Sequence, residues 1–125
     1  MLADKDAVPM IAVRDLARAK AFYGQILGLQ ALEQQGEEVV TYRSGGGKLN
    51  VYRSEFAGTS QATAALWDVG DQIGGIAAAL AAKGVMFEHY DMPGLSLEGD
   101  VHVGEGMKVA WFRDPDGNIL SLTGA

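Results

Sequence analysis

The sequence predicts an α+β fold built from two β-α-β-β-β units. Three observations carry that expectation. Val13, Asp15 and Gly28 recur as Val69, Asp71 and Gly84, each pair 56 residues apart. A helix-like pattern of one length lies between the anchors of each copy. Strand-like segments follow each copy, separated by turns rich in Gly, Asp and Pro. A duplicated unit of this kind buries a seam or builds a cleft between its copies.

Residues 8–14, VPMIAVR, form a short buried strand in this reading. Asp15 suits an N-cap, its carboxylate accepting free amide hydrogens of the first helical turn. Leu16, Ala19, Tyr23, Ile26 and Leu27 follow at helical spacing, and Gly28 ends the helix in a left-handed conformation. Strands are expected at 29–34, 38–43 and 48–53, with Gly45-Gly46-Gly47 turning between the last two. Phe56 to Gln61 is a linker. The second copy starts with a strand at 62–69. Asp71 is then expected to cap a helix with Ile73, Ile76 and Leu80 inward and Gly84 at its end. Gly74-Gly75 weakens that helix by roughly 1 kcal/mol per Gly against Ala, a weakness that close helix-sheet packing would explain. Val85 to Tyr90, Met107 to Arg113 and Asn118 to Thr123 complete the strands. Asp114-Pro115-Asp116-Gly117 joins the last two, Pro presetting the turn and Gly supplying positive φ.

The copies differ in one place. Asp91 to Gly106, DMPGLSLEGDVHVGEG, is far longer than its counterpart around Gly36. It reads either as a surface excursion with an extra strand at 100–103 or as a flap over a binding cleft.

A chain of 125 residues fits one domain with a sizeable core, here with modules at about 7–56 and 62–125. Its 48% hydrophobic and 21% charged residues are those of a soluble globular protein. The absence of cysteine excludes disulfides, thiolate metal sites and a Cys nucleophile, and fits a reducing cytoplasm. No secretory signal core and no run near the ~18 apolar residues of a membrane span is present. The net charge of -6 argues against nucleic acid. Gly45-Gly46-Gly47 joins two strands with no helix after it, so it is not a phosphate loop. Lys48 and Arg53 flank a strand and read as solvated.

The β-α-β-β-β repeat, the segment VRDLARAKAFYGQILGL and the ending WFRDPDGNILSL together resemble the vicinal oxygen chelate superfamily. That group contains glyoxalase I, extradiol dioxygenases, fosfomycin resistance proteins and bleomycin-binding proteins. The resemblance covers essentially the whole chain. It implies two modules that curl a mixed sheet around a shared concave site, and it does not by itself imply an activity.

In metal-using members, four side chains, usually His, Glu or Gln, project into that site from the first and last strands of each module. Matched motif by motif, those positions are here Val8 and Ala64 on the first strands, and Asn50 and Ser121 on the last. Two aliphatics, one amide and one hydroxyl are a poor donor set for a divalent cation. No metal and no cofactor are therefore expected. The two histidines offer no replacement. His102 falls in the long loop near Glu98, Asp100 and Glu105 and reads as solvated. His89 reads as a strand-end residue, with general-base work as the functional alternative. No Ser-His-Asp arrangement is apparent, because neither histidine is expected on the cleft wall.

Strand alternation assigns that wall. If Leu120 and Leu122 face the helices, Ile119 and Ser121 face the cleft. The same parity adds Val8, Met10 and Ala12, then Asn50 and Tyr52, then Ala64, Leu66 and Asp68, then Val109 and Trp111, leaving Phe112 for the core. The wall is apolar and aromatic with a few polar groups, suited to a small, partly apolar organic ligand. The candidate binding residues are Met10, Asn50, Tyr52, Leu66, Asp68, Val109, Trp111 and Ser121. Trp111 and Tyr52 either stack on a flat ligand or simply fill the cavity.

Two readings of function follow. One is a metal-independent binder that sequesters or senses a small organic molecule. The other is an enzyme of the same superfamily (a lyase, isomerase or dioxygenase), with misplaced metal ligands or with Tyr52, Asp68 or His89 in acid-base roles. A purely structural or partner-binding domain is a third. A homodimer is expected, since the modules expose sheet edges that relatives commonly cover by pairing.

Overall fold

A computed structural model describes residues 1–125. The fold is α+β with two sheets, and the chain divides into two compact units. Unit 1 comprises Met1–Gln61 with Pro115–Asn118; unit 2 comprises Ala62–Asp114 with Ile119–Ala125.

Unit 1 follows the expected order. Strand β1 (Met10–Val13) leads to helix α1 (Leu16–Lys20), continued by a π-helical stretch (Ala21–Ile26). Then come β2 (Gln30–Gln35), β3 (Val39–Ser44) and β4 (Gly47–Arg53). The sheet order is β1-β4-β3-β2, with β1 parallel to β4 and the other pairs antiparallel. Asp15 caps α1 as expected, its Oδ1 accepting from the Arg18 amide at 3.1 Å. The π-helical stretch departs from the regular helix that the sequence predicts. Its wider turn, marked by the Leu27 amide reaching the Phe22 carbonyl, lets adjacent Phe22 and Tyr23 both enter the core. Their rings meet edge to face at 5.1 Å. Ile11, Val13, Leu49 and Val51 are buried, while Met10 and Asn50 on the opposite parity are not.

The DPDGN turn belongs to unit 1. Arg18 holds the Asp116 carboxylate at 2.8 Å, and that side chain is only 1% exposed. The Asn118 amide donates to the Ala12 carbonyl at 2.7 Å. Gly58, at φ +73°, lies so close to this turn that an added Cβ would sit 2.0 Å from the Asp116 carbonyl oxygen. Only glycine fits there.

Unit 2 opens with β5 (Thr63–Asp68), a 3₁₀ turn (Gly70–Gln72) and helix α2 (Ile73–Ala82). Asp71 is not the cap of α2. Gly70 takes φ +57° and starts the 3₁₀ turn, so Asp71 lies inside that turn. Gln72 holds the N-cap position without a side-chain bond. Close helix-sheet packing does not explain Gly74-Gly75 either, because a Cβ at each would meet nothing within 4 Å.

The remaining strands are β6 (Phe87–Glu88), β7 (Ser96–Glu98), β8 (Val101–Gly104), β9 (Met107–Arg113) and β10 (Ile119–Gly124). The order is β5-β10-β9-β8-β7, with β5 parallel to β10. Both β6 and β8 pair antiparallel with β9, β6 against Trp111 and Phe112 and β8 against Met107 to Val109. They are one strand line interrupted by residues 89–100. The long segment is therefore an inserted hairpin, with β7 paired to β8. Its base is tight: a Cβ on Gly104 would lie 2.0 Å from the Gly94 carbonyl oxygen. Phe112, Leu120 and Leu122 are core residues, as the parity argument requires.

Candidate functional site

On the unit 1 sheet, register places Met10 opposite Asn50 and Ala12 opposite Tyr52. Thr41 pairs with Asn50 from the other side. The Thr41 hydroxyl donates to Asn50 Oδ1 at 2.7 Å, and Asn50 Nδ2 donates to Met10 Sδ at 3.3 Å. Three predicted residues, Met10, Asn50 and Tyr52, thus share one face, with the Asn50 amide already engaged at both ends.

On the unit 2 sheet, one cross-strand row reads Leu66, Ser121, Trp111 and Glu88. The neighbouring row reads Asp68, Thr123, Val109 and His102. Five predicted residues, Leu66, Asp68, Val109, Trp111 and Ser121, therefore lie on one face. Their exposure differs sharply. Leu66 is 56% exposed, whereas Ser121 is 2% and Val109 is also buried. Asp68 turns its carboxylate to the Gly70 amide at 3.3 Å, a turn-forming contact.

The chemistry of this face concentrates at the strand interruption. Trp111 meets the Tyr90 ring at 5.1 Å, the two planes 77° apart. It meets the His102 ring at 4.9 Å and 74°. Tyr90 stacks on His102 at 6.1 Å and 28°. Tyr90 and Trp111 so form a two-walled aromatic corner, and both retain exposed surface. Its rim carries two pairs. Arg113 donates through Nε to Glu88, and that bond raises the guanidinium further above its ordinary pKa. His89 Nε2 lies 2.8 Å from Asp100 Oδ1.

His102 differs from its expected solvated place. It is 1% exposed and points to the same face as Val109 and Trp111. Sequence reasoning missed it, and Tyr90, because their positions follow from the pairing of β8 with β9 across an insertion. The only signal available was the alternation Val101-His102-Val103, which already suggested a strand.

The positions that the resemblance assigns to metal ligands offer a divalent cation few donors in either unit. Val8 and Ala64 supply no donor atom. Val8 precedes β1 and lines a pocket of about 310 Å³ with Asp6, Ala7, Gly46, Gly47 and Lys48. Asn50 is engaged as described, and Ser121 offers one buried hydroxyl. No group of three or more His, Cys, Asp or Glu side chains stands close enough to hold an ion. No helix is long and apolar enough to cross a membrane.

Comparison with solved structures finds the same fold across the chain. A glyoxalase family protein from Enterococcus faecalis matches with a TM-score of 0.74 at 21% identity, over 98% of this chain and 99% of that one. A lactoylglutathione lyase from Agrobacterium tumefaciens matches with a TM-score of 0.73 at 17% identity, over 100% and 96%. A glyoxalase/bleomycin resistance protein/dioxygenase from Alicyclobacillus acidocaldarius matches with a TM-score of 0.72 at 18% identity, over 97% and 91%. At these identities the likeness is one of fold. A comparison with curated protein sequences found no match. The family model described as Glyoxalase/Bleomycin resistance protein/Dioxygenase superfamily matches residues 7–122, nearly the whole chain, and the protein belongs to that superfamily.

Proposed function

We propose that this protein binds a small, flat, partly apolar organic molecule without a divalent metal. The observation that carries this reading is the corner between Tyr90 and Trp111, two half-open rings at near right angles. A planar ligand can stack on one ring while its edge meets the other. Exposed Leu66, on the Trp111 row, extends the apolar surface. The scarcity of donors in each unit, Asn50 beside Val8 in unit 1 and Ser121 beside Ala64 in unit 2, supports metal independence. A net charge of -6 favours a small ligand over nucleic acid as the partner. The fully exposed edge strand β2 supports a homodimer in solution, which light scattering would test.

The chain has two tryptophans, so a Trp67→Phe background isolates Trp111 fluorescence. Titration with a panel of aromatic acids, amines and phenols should give saturable quenching by at least one class. Chelator should leave it unchanged. Trp111→Ala should weaken binding by about 2 kcal/mol or more, some 30-fold, because aromatic anchors dominate such sites. Ligand binding that requires added Zn, Ni, Mn or Fe(II) would sink the reading.

A second reading is favoured by one observation, the 2.8 Å contact of His89 with Asp100. A carboxylate that orients an imidazole is the arrangement of a general base. In that case the ligand is a substrate, and His89→Gln abolishes turnover while leaving Trp111 quenching intact.

A further inference from the structure

We infer that His102 is the positioning residue of the aromatic corner, splicing the broken strand through its two ring nitrogens. The inference deepens the reading of Trp111 as a ligand anchor and rests on it for its functional meaning. Its geometry stands apart. Where β6 gives way to the inserted hairpin, the Tyr90 amide no longer has a ladder partner on β9. A half-buried main-chain N–H left without a partner is costly. His102 supplies the acceptor: Tyr90 N–H donates to His102 Nε2 at 2.9 Å.

A backbone amide can only donate, so Nε2 carries the lone pair. The ring proton therefore sits on Nδ1, which faces the Val109 carbonyl at 3.3 Å and donates to it. Each nitrogen has one partner, and both partners are main chain. The ring is thereby fixed between the end of β6 and β9, with Tyr90 stacked on its face and Trp111 against its edge. Tyr90 is held in place by its own amide, so its ring stays at right angles to Trp111. An apolar residue at 102 would fill the space and leave the Tyr90 amide unpaired. A residue with a single polar atom would serve one strand and not the other.

Two substitutions separate this from plain core filling. His102→Gln can place an amide oxygen near the position of Nε2 and keep the Tyr90 bond. His102→Asn reaches only the position of Nδ1 and keeps the Val109 contact alone. Hydrogen exchange at Tyr90 should stay within about threefold of the parent in His102→Gln and rise at least about tenfold in His102→Asn. Acrylamide quenching of Trp111, in the Trp67→Phe background, should rise only in His102→Asn. If His102 merely fills space, the two variants change together, and that result overturns the proposal. Should both variants fail to fold, nitrogen-15 spectra of the parent still decide. They should show one tautomer, with Nδ1 protonated and Nε2 not; protonated Nε2 overturns it. The ligand titrations are scored separately. A Gln/Asn split without any bound ligand retires the binding reading and keeps the splice, while ligand binding without a split does the reverse.

Discussion

Units 1 and 2 share one plan and part company at one strand. In unit 1 the strand after the helix is β2, running from Gln30 to Gln35 along the β3 edge. In unit 2 the equivalent line is cut into β6 and β8, with residues 89–100 inserted between them. β2 bears only exposed side chains and absorbs a register shift between Ala31 and Glu33. The broken strand cannot be so casual, because its end lies against Trp111 and Phe112. A buried side chain, His102, has to replace the missing ladder bond. Repetition thus gives each copy its framework, and departure from repetition gives unit 2 its concentration of rings and imidazoles.

The same contrast can be pushed hardest at two glycines. Gly58 in unit 1 and Gly104 in unit 2 each face a carbonyl oxygen that a Cβ would approach to 2.0 Å. Gly58 also holds φ +73°, so substitution adds backbone strain to overlap. Gly58→Ala should cost about 3 kcal/mol or more in denaturant unfolding. Gly104→Ala should cost less, because its neighbour Gly94 lies in the inserted hairpin and can yield. Its signature should be faster exchange across residues 91–98. Equal losses at the two sites would mean the hairpin is as rigid as the unit 1 turn.

Much of this framework was legible in the sequence. Alternation separated Ile11, Val13, Leu120 and Leu122 from Met10, Asn50 and Leu66 because strand parity is a local property. The repeated glycines also kept their role, Gly28 and Gly84 both taking positive φ. What stayed hidden depended on pairing between distant segments. Nothing local shows that β8 resumes the line of β6, so Tyr90 and His102 could not be placed beside Trp111. Ser121 and Val109 share a face with Leu66 and Trp111 yet are buried, because parity gives direction and not depth. Asp71 is not a cap for a local reason: Gly70 stands where unit 1 has Arg14. A glycine there permits the φ of +57° that inserts a 3₁₀ turn.

The helices offer the next comparison. α2 carries Gly74 and Gly75 facing open space, without positive φ. α1 has no such pair. Replacing both with Ala should stabilise the protein by about 1 kcal/mol per site, through lower chain entropy in the unfolded state. Thermal unfolding would register this as a higher midpoint. An unchanged or lower midpoint would mean that these positions have a packing role.

Tyr42, in the core of unit 1, tests burial through pH. Desolvation pushes its phenol above the ordinary value of 10.0. The unfolded phenol ionises first as pH rises, so the folded state, which binds the proton longer, loses stability from about pH 10 upward. Below that range the contribution is fully present. The loss should not exceed about 1.4 kcal/mol per pH unit and should be absent in Tyr42→Phe. A Tyr42→Phe protein with the same alkaline slope would remove Tyr42 as its source.

The smallest effect separates the two aspartates that the repeat makes equivalent. Asp15 accepts the Arg18 amide, satisfying one of the free donors of α1. Asp71 lies inside the 3₁₀ turn, and α2 starts at Gln72 without a side-chain cap. Asp15→Ala should therefore cost about 1 kcal/mol, the usual value of a lost N-cap. Asp71→Ala should stay within about 0.5 kcal/mol of the parent, as surface substitutions do. Urea titrations with a common slope resolve that difference. If Asp71→Ala costs as much as Asp15→Ala, the carboxylate supports α2 by its charge near the helix start, through the dipole and without a direct bond. Raising the salt concentration would then erase the Asp71 effect and spare most of the Asp15 effect, because a hydrogen-bonded cap is less screened than an unbonded charge.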